Sequence, residues 1–136
     1  MTARFWFEYD RGRHVIIAVV IGVAIAVGGL LVAVSPAYVA LPLVGVVVFW
    51  MMDLWIRPKL LAGSLRRQSS RKDPDVVEAG AAVMAALSLP WEPGVHGRNQ
   101  VIARAKAISK REDEYYVFLI KSFIRMPEMG VPKDGN

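Results

Sequence analysis

The chain has no cysteine and only two histidines, His14 and His96, among its 136 residues. Without thiols it can form neither a disulfide bridge nor a thiolate metal site. The histidines are too few and too far apart in sequence for a metal-binding cluster. His96, close to Arg98, could contact a phosphate, but a lone histidine in a Gly-rich loop is more often simply solvated. We therefore expect no metal and no cofactor.

Motifs of known catalytic sites are also missing. No G-x-S-x-G nucleophile motif occurs, and no glycine-rich phosphate loop is followed by a lysine. The stretch "GVHGR" is too short for such a loop and lacks a preceding strand pattern. The charge run "KREDE" is typical of a solvated face. We expect a protein that is not an enzyme and has no small-molecule substrate.

Charge is nearly absent from Val15 to Ile56, where Asp53 is the only charged residue. Residues 15–35 form an uncharged run of 21 residues. Residues 38–56 form a second apolar run of 19 residues, which contains Asp53. At about 1.5 Å per residue, a 21-residue helix extends roughly 31 Å, the thickness of a bilayer's hydrocarbon core. The first run exceeds the 7–15 apolar residues usual in a signal peptide, which favours a membrane anchor. The pattern predicts two transmembrane helices.

The connection between the two runs is very short and uncharged, with Pro36 as its break. Such a connection predicts an antiparallel transmembrane hairpin spanning 15–56. Basic residues precede the first run and follow the second, so the positive-inside rule places both termini in the cytoplasm. The chain is then a multi-pass protein of the bacterial inner (cytoplasmic) membrane, with residues 1–14 as a cytoplasmic N-terminal arm.

Small residues recur along the first run at spacings that bring them to one face of a helix. Such a face allows close approach of another helix, since packing rather than hydrophobicity drives association in lipid. It would pack against the protein's own second helix, with Pro42 and Gly45 opposite, or dock another membrane subunit. The predicted helix-packing residues are Ala18, Gly22, Ala26, Gly29 and Ala33.

Asp53 could be a proton or ion site, or it could mark the rim of the membrane. It lies only about 5 Å along the helix from Ile56, where the apolar run ends. Arg57 stands four residues later on the same helix face, where an acid and a base pair well. Transport carboxylates lie near the midplane and face a cavity. We therefore expect an interfacial ion pair between Asp53 and Arg57.

Residues 57–72 form a basic juxtamembrane linker that contains no acid and carries a charge of +6. Each such cation contributes on the order of 1 kcal/mol of attraction to anionic lipid near a membrane surface. Nucleic-acid binding is not expected, because no aromatic platform is interleaved and no reading motif is present. The predicted anionic-lipid contacts are Arg57, Lys59, Arg66, Arg67, Arg71 and Lys72.

The sequence predicts that residues 73–126 form a small helical cytoplasmic region. Residues 127–136 are predicted to form a tail that is loose or bound to a partner. Asp73 is placed as an N-cap with Pro74 at the first helical position. The predicted buried face of this helix comprises Val76, Val77, Ala79, Val83, Met84 and Leu87. Residues 109–112 read as a capping box. Residues 115–124 fit either a helix or a strand. A cytosolic portion of about 65 residues is small for a stable core, so we expect support from lipid or another subunit.

The aromatic and charged arm "RFWFEYDRGRH", the tight hairpin and the basic "WIRPKLLAGSLRR" together resemble the small two-helix inner-membrane subunits of type IV secretion and conjugation systems. The resemblance covers roughly residues 3–70 and rests on pattern rather than on a specific motif. It implies a non-catalytic structural subunit packed beside a channel and its cytoplasmic ATPase. Other membrane-protein subunits and anionic lipids are the expected partners.

Two other functions fit an all-α membrane protein of this plan. The chain could be an accessory subunit of an energy-transducing membrane complex, in which case haem or flavin absorption should accompany the purified material. It could also be a holin-like pore former, which predicts lysis on overexpression. The long cytoplasmic part, from Asp73 onward, disfavours the pore former.

Overall fold

A computed structural model describes residues 2–90 and 97–131, and every regular element in these ranges is helical, with no strand. Two short 3₁₀ segments, Pro36–Val39 and Pro127–Met129, accompany five α-helices. The all-α fold class is thus confirmed for the described chain. The helices are α1 (Ala3–Val32), α2 (Ala40–Ser70), α3 (Pro74–Ser88), α4 (Arg98–Ser109) and α5 (Glu114–Arg125).

The two long helices extend beyond the apolar runs that define them in the sequence. Helix α1 begins at Ala3, so the N-terminal arm is its first part, and α2 continues to Ser70 through most of the basic linker. Helix-forming residues such as Leu61 and Leu65, one turn apart, favour this continuation. Pro58 lies inside α2 and cannot donate the backbone hydrogen bond of its turn.

Helices α1 and α2 are both long and apolar enough to cross a membrane. In the most apolar 18-residue window of each helix, only 6% of the residues are buried by the rest of the chain. A core helix of a soluble protein would have most of such a window covered. The apolar surfaces of these two helices are therefore mainly uncovered within the chain.

The chain divides into two compact units. The first, which we call the long-helix unit, is Glu8–Leu60. In it, α1 and α2 contact each other, and a Cβ added at Gly28 would lie 3.6 Å from the ring of Pro42. Gly28 is buried, and a Cβ at that distance would be in ordinary van der Waals contact with Pro42, so the two helices pack directly at this level.

The second unit, which we call the core unit, combines the described residues of Met1–Phe7 and Leu61–Asn136. Helix α3 packs against both α4 and α5, and the ends of α1 and α2 complete the core through Ala3 and Leu65. The backbone N–H of Ala3 donates to the side-chain oxygen of Gln68 at 3.0 Å. The ends of the two long helices are thus part of the core of this unit, whereas the sequence predicted that support would come from lipid or another subunit. The largest fully buried side chains are Leu65, Val76, Val83, Val101, Tyr116, Leu119 and Ile120.

Aromatic residues of the N-terminal arm pack in this core unit. The ring of Phe7 makes edge-to-face contacts with Tyr115 and Phe118 of α5, with ring centroids 5.6 and 5.5 Å apart. Trp6 is buried as well. Edge-to-face pairs contribute about 0.5–1.5 kcal/mol beyond the burial of their area. The start of α1 is therefore a structural part of the α3–α5 bundle.

Helix α3 begins as its sequence predicts. Asp73 is the N-cap, its carboxylate accepts from the backbone N–H of Asp75 at 3.2 Å, and Pro74 is the first helical residue. Residues Val76, Ala79 and Val83 are buried as expected, and Leu87 packs partly against them. The prediction is wrong for two apolar positions of this helix, because Val77 and Met84 are exposed.

Residues 115–124 are helical, which decides between the two forms that the sequence allowed. The turn before α5 differs from the expected capping box. Lys110 ends α4 in a left-handed conformation with φ of 56°, and the N-cap of α5 is Asp113, whose carboxylate accepts from Tyr116 N–H at 2.6 Å. Strong helical amphipathicity in "EYYVFLIKSFIR" accounts for the helix, since one face fits the core.

The first part of the tail packs onto the core unit. Met129 and Val131 contact the core cluster, and Glu128 forms an ion pair with Arg66 of α2. Residues 127–131 are thus ordered against the chain itself, whereas the sequence predicted a loose or partner-bound tail. His96 and the rest of 91–96 lie outside the described residues, as do residues 132–136.

Candidate functional site

A group of charged and polar side chains joins α1 to α2 within the long-helix unit. The carboxylate of Asp53 accepts a hydrogen bond from the Tyr9 hydroxyl at 2.9 Å. It also forms an ion pair with the Arg13 guanidinium at 3.0 Å. The Asp53 side chain is 5% exposed and that of Arg13 is 28% exposed. Charge-assisted hydrogen bonds of this kind are about twice as strong as neutral ones. Asp53 is thus held by two donors from α1.

A second ion pair lies beside the first. Arg57 of α2 donates to Asp10 of α1 at 2.8 Å. The expected pair between Asp53 and Arg57 is therefore replaced by two pairs that cross between the helices. The i, i+4 spacing does put both residues on one helix face, but each finds its partner on α1, where the opposing side chains are closer.

The five residues form what we call the inter-helix network: Tyr9, Asp10, Arg13, Asp53 and Arg57. Two carboxylates face two guanidiniums, so the network is electrically balanced. The Asp53 carboxylate is satisfied by two donors, the Tyr9 hydroxyl and the Arg13 guanidinium. The arrangement fixes the register of α1 against α2, because a shift of either helix by one turn would break both pairs.

The predicted helix-packing residues do not contact the second helix. All five are exposed, and a Cβ added at Gly22 or Gly29 would meet nothing within 4 Å. Gly45, expected opposite them, is exposed too. The less exposed face of α1 instead comprises Arg13, Ile17, Val20, Ala24, Gly28 and Leu31. The small-residue face, defined as Ala18, Gly22, Ala26, Gly29 and Ala33, therefore points away from the intramolecular contact.

The six basic residues predicted to contact lipid divide into two groups. Arg57 is held by Asp10, and Arg66 is held by Glu128. The other four are exposed and have no acidic partner within the described ranges. These four are Lys59, Arg67, Arg71 and Lys72.

A cluster in the core unit was not predicted from the sequence. Arg111 contacts Asp75 at 2.7 Å, Glu78 at 3.1 Å and Asp113 at 3.1 Å, and its guanidinium lies 5.1 Å from the ring centroid of Tyr116. The hydrogen bonds that Arg111 donates to the carboxylates of Asp75 and Glu78 raise the pKa of its guanidinium. The run "KREDE" therefore connects the α4–α5 turn to α3 through Arg111. Its two bases followed by three acids gave no signal of this role in the sequence.

In the part of the chain that the structure describes, no group of three or more His, Asp or Glu side chains is arranged so that it could hold a metal ion. His14 is exposed on α1.

Comparison with known proteins found no matching family model, no matching curated protein and no matching solved structure.

Proposed function

We propose that the chain is a non-catalytic structural subunit of a larger bacterial inner-membrane assembly. In this proposal α1 and α2 insert as an antiparallel hairpin, and both ends of the helix pair lie in the cytoplasm. The apolar, largely uncovered surfaces of the two helices support insertion. The basic residues at one end of the pair support the orientation, since the connection between the helices has none.

The observation that carries the proposal is the exposed small-residue face of α1. A single hairpin has no use for two close-packing faces, and α1 already contacts α2 through the face that contains Gly28. In lipid, association depends on close packing, for which small residues at four-residue spacing are suited. Another membrane-protein subunit fits this face better than lipid does, because lipid contact sets no requirement for small side chains.

The cytoplasmic end offers a second contact surface. Lys59, Arg67, Arg71 and Lys72 have no acidic partner within the described ranges, so their charge is available to anionic lipids or to an acidic partner protein. Arg57 and Arg66 contribute less to either, since each already has a carboxylate.

The class of assembly rests on the resemblance of residues 3–70 to the two-helix subunits of type IV secretion and conjugation systems. On that basis a neighbouring channel and a cytoplasmic ATPase are the proposed partners. The long-helix unit has no inward polar path besides the balanced inter-helix network, which favours a structural part over a transporter.

Mild extraction of the native membrane, followed by native mass spectrometry, tests the proposal. We expect the chain to co-purify with other membrane subunits. Substituting Gly22→Leu and Gly29→Leu should release the chain from them, because the added side chains fill the small-residue face. A Cβ added at either glycine meets nothing within 4 Å outside its own stretch of helix, so the larger side chain enters open space and the hairpin itself should remain intact.

Val23→Leu is the matched control, since it enlarges an exposed side chain of α1 outside the small-residue face. It should leave co-purification unchanged. Recovery of the unaltered protein as a lone monomer would contradict the proposal, and equal effects of Gly22→Leu and Val23→Leu would remove its basis. Haem or flavin absorption in the purified complex would favour the energy-transducing alternative.

A further inference from the structure

The segment that joins α1 to α2 contains no charged residue. It runs from Ala33 to Val39 and includes the 3₁₀ segment Pro36–Val39. Its polar side chains are the hydroxyls of Ser35 and Tyr38 alone. If the helix pair is a membrane hairpin, this is the only part that must cross the bilayer completely.

All charged side chains of the long-helix unit lie at the opposite end of the helix pair. On α1 the last of them is Arg13, and on α2 the first is Asp53. These two residues contact each other at 3.0 Å, and Arg57 and Asp10 pair beside them. Asp53 is the one charge within the apolar runs, and its partner is Arg13, which lies two residues before the first run begins at Val15.

We infer that the hairpin inserts as a preformed pair of helices and that its insertion does not depend on the membrane potential. This inference rests on the hairpin topology proposed above. A potential does work only on charge that moves across it, about 2.3 kcal/mol per elementary charge per 100 mV. No charge of this segment crosses, and the inter-helix network stays on the side from which the hairpin enters.

Pairing also removes the main obstacle to insertion of α2. A lone Asp in a transmembrane segment is costly to insert, most of all at the centre of the bilayer. With Arg13 and Tyr9 bound to it, Asp53 presents a satisfied carboxylate to the membrane rim. Simultaneous entry of both helices provides this partner, whereas entry of α2 before α1 does not.

The absence of natural cysteine allows a direct test on the full chain. An Ala37→Cys variant is added to liposomes in which a potassium gradient and valinomycin set the potential to zero or to about 100 mV, lumen positive. An impermeant maleimide added outside labels every chain whose loop has not crossed. Protection from labelling gives the inserted fraction, and detergent afterwards shows that each cysteine is reactive.

Charge variants of the same loop are the matched comparison. Val34 is exposed, so Val34→Asp and Val34→Lys each add one charge without disturbing packing. The uncharged loop should insert to the same extent, within about two-fold, at both potentials. The Asp variant should insert better, and the Lys variant worse, at 100 mV lumen positive, by up to about 40-fold in each direction.

The possible results separate the inference from the proposed topology. A several-fold dependence of the uncharged loop on the potential would overturn the inference while the hairpin remains. The inference would also be overturned if the inserted fraction of the charge variants did not change with the potential, since loop charge would then not determine how insertion responds to the potential. A loop that stays fully labelled under all conditions would instead refute the hairpin topology.

Discussion

Arg13 of α1 and Asp53 of α2 are joined by an ion pair of 3.0 Å although Asp53 follows Arg13 by 40 positions in the sequence. The carboxylate is almost fully buried and also accepts the Tyr9 hydroxyl. Beside it, the pair between Arg57 and Asp10 includes a more exposed carboxylate, since the Asp10 side chain is 44% exposed. Because exposure weakens ion pairs, the two contacts should contribute unequally to stability.

Arg13→Gln should therefore destabilise the protein more than Arg57→Gln does. Removing Arg13 leaves a buried carboxylate without its cation, which costs about 1–3 kcal/mol, whereas a surface pair such as Arg57–Asp10 contributes about 0–1 kcal/mol. Denaturant titration of the detergent-solubilised protein, followed by circular dichroism, measures both. The double variant Arg13→Leu/Asp53→Leu should recover part of the loss, because neither charge remains unpaired. Equal losses from Arg13→Gln and Arg57→Gln would contradict the assigned burial.

Local signals in the sequence predicted several features correctly. The two apolar runs identified the long helices, and the Asp73-Pro74 pair identified the start of α3, because capping depends on residues that are neighbours in sequence. The partner of Asp53 could not be found in this way. Arg57 fitted the local spacing, and only the approach of α1 determines that Arg13 lies nearer.

The rotation of α1 about its own axis was also beyond sequence reasoning. Its span is apolar all round, so hydrophobic periodicity does not distinguish the face toward α2 from the face toward the surroundings. Gly28 and Gly29 are adjacent in sequence, yet one is buried and the other exposed. On α3 the apolar Val77 and Met84 looked like core residues, but the alanines Ala82 and Ala86 occupy the core there.

Asp113→Ala should destabilise the core unit. The Asp113 carboxylate caps α5 through Tyr116 N–H and also contacts Arg111. Loss of an N-cap costs about 0.5–2 kcal/mol. Asp113→Asn keeps the cap acceptor and should lose clearly less, which separates capping from the ion pair. Thermal unfolding measures both, and a larger loss in the Asn variant than in the Ala variant would refute the capping role.

Gly80→Val should destabilise the packing of α3 on α5. A Cβ added at Gly80 would lie 3.3 Å from the ring of Phe123, which is itself buried, so the larger side chain forces a shift of the core. Overpacking of this kind costs about 1–3 kcal/mol. The matched substitution is Gly63→Ala on α2, where a Cβ meets nothing within 4 Å. That variant should gain roughly 0.5–1 kcal/mol from helix propensity. If Gly80→Val and Gly63→Ala changed the unfolding free energy in the same direction, this packing would be contradicted.

Tyr116 should make the core unit sensitive to alkaline pH. Its side chain is fully buried, and this burial raises the pKa of its hydroxyl above the ordinary value of 10.0. An acid whose pKa is higher in the folded state releases its proton more readily on unfolding, so the stabilisation is complete below pH 10 and declines as pH rises through the folded pKa. Unfolding free energy measured between pH 8 and 11 should fall at the upper end. Tyr116→Phe removes the titrating group while keeping the ring, and it should flatten that decline. Tyr38→Phe, on the 3₁₀ segment of the long-helix unit, is the control that should leave the decline in place.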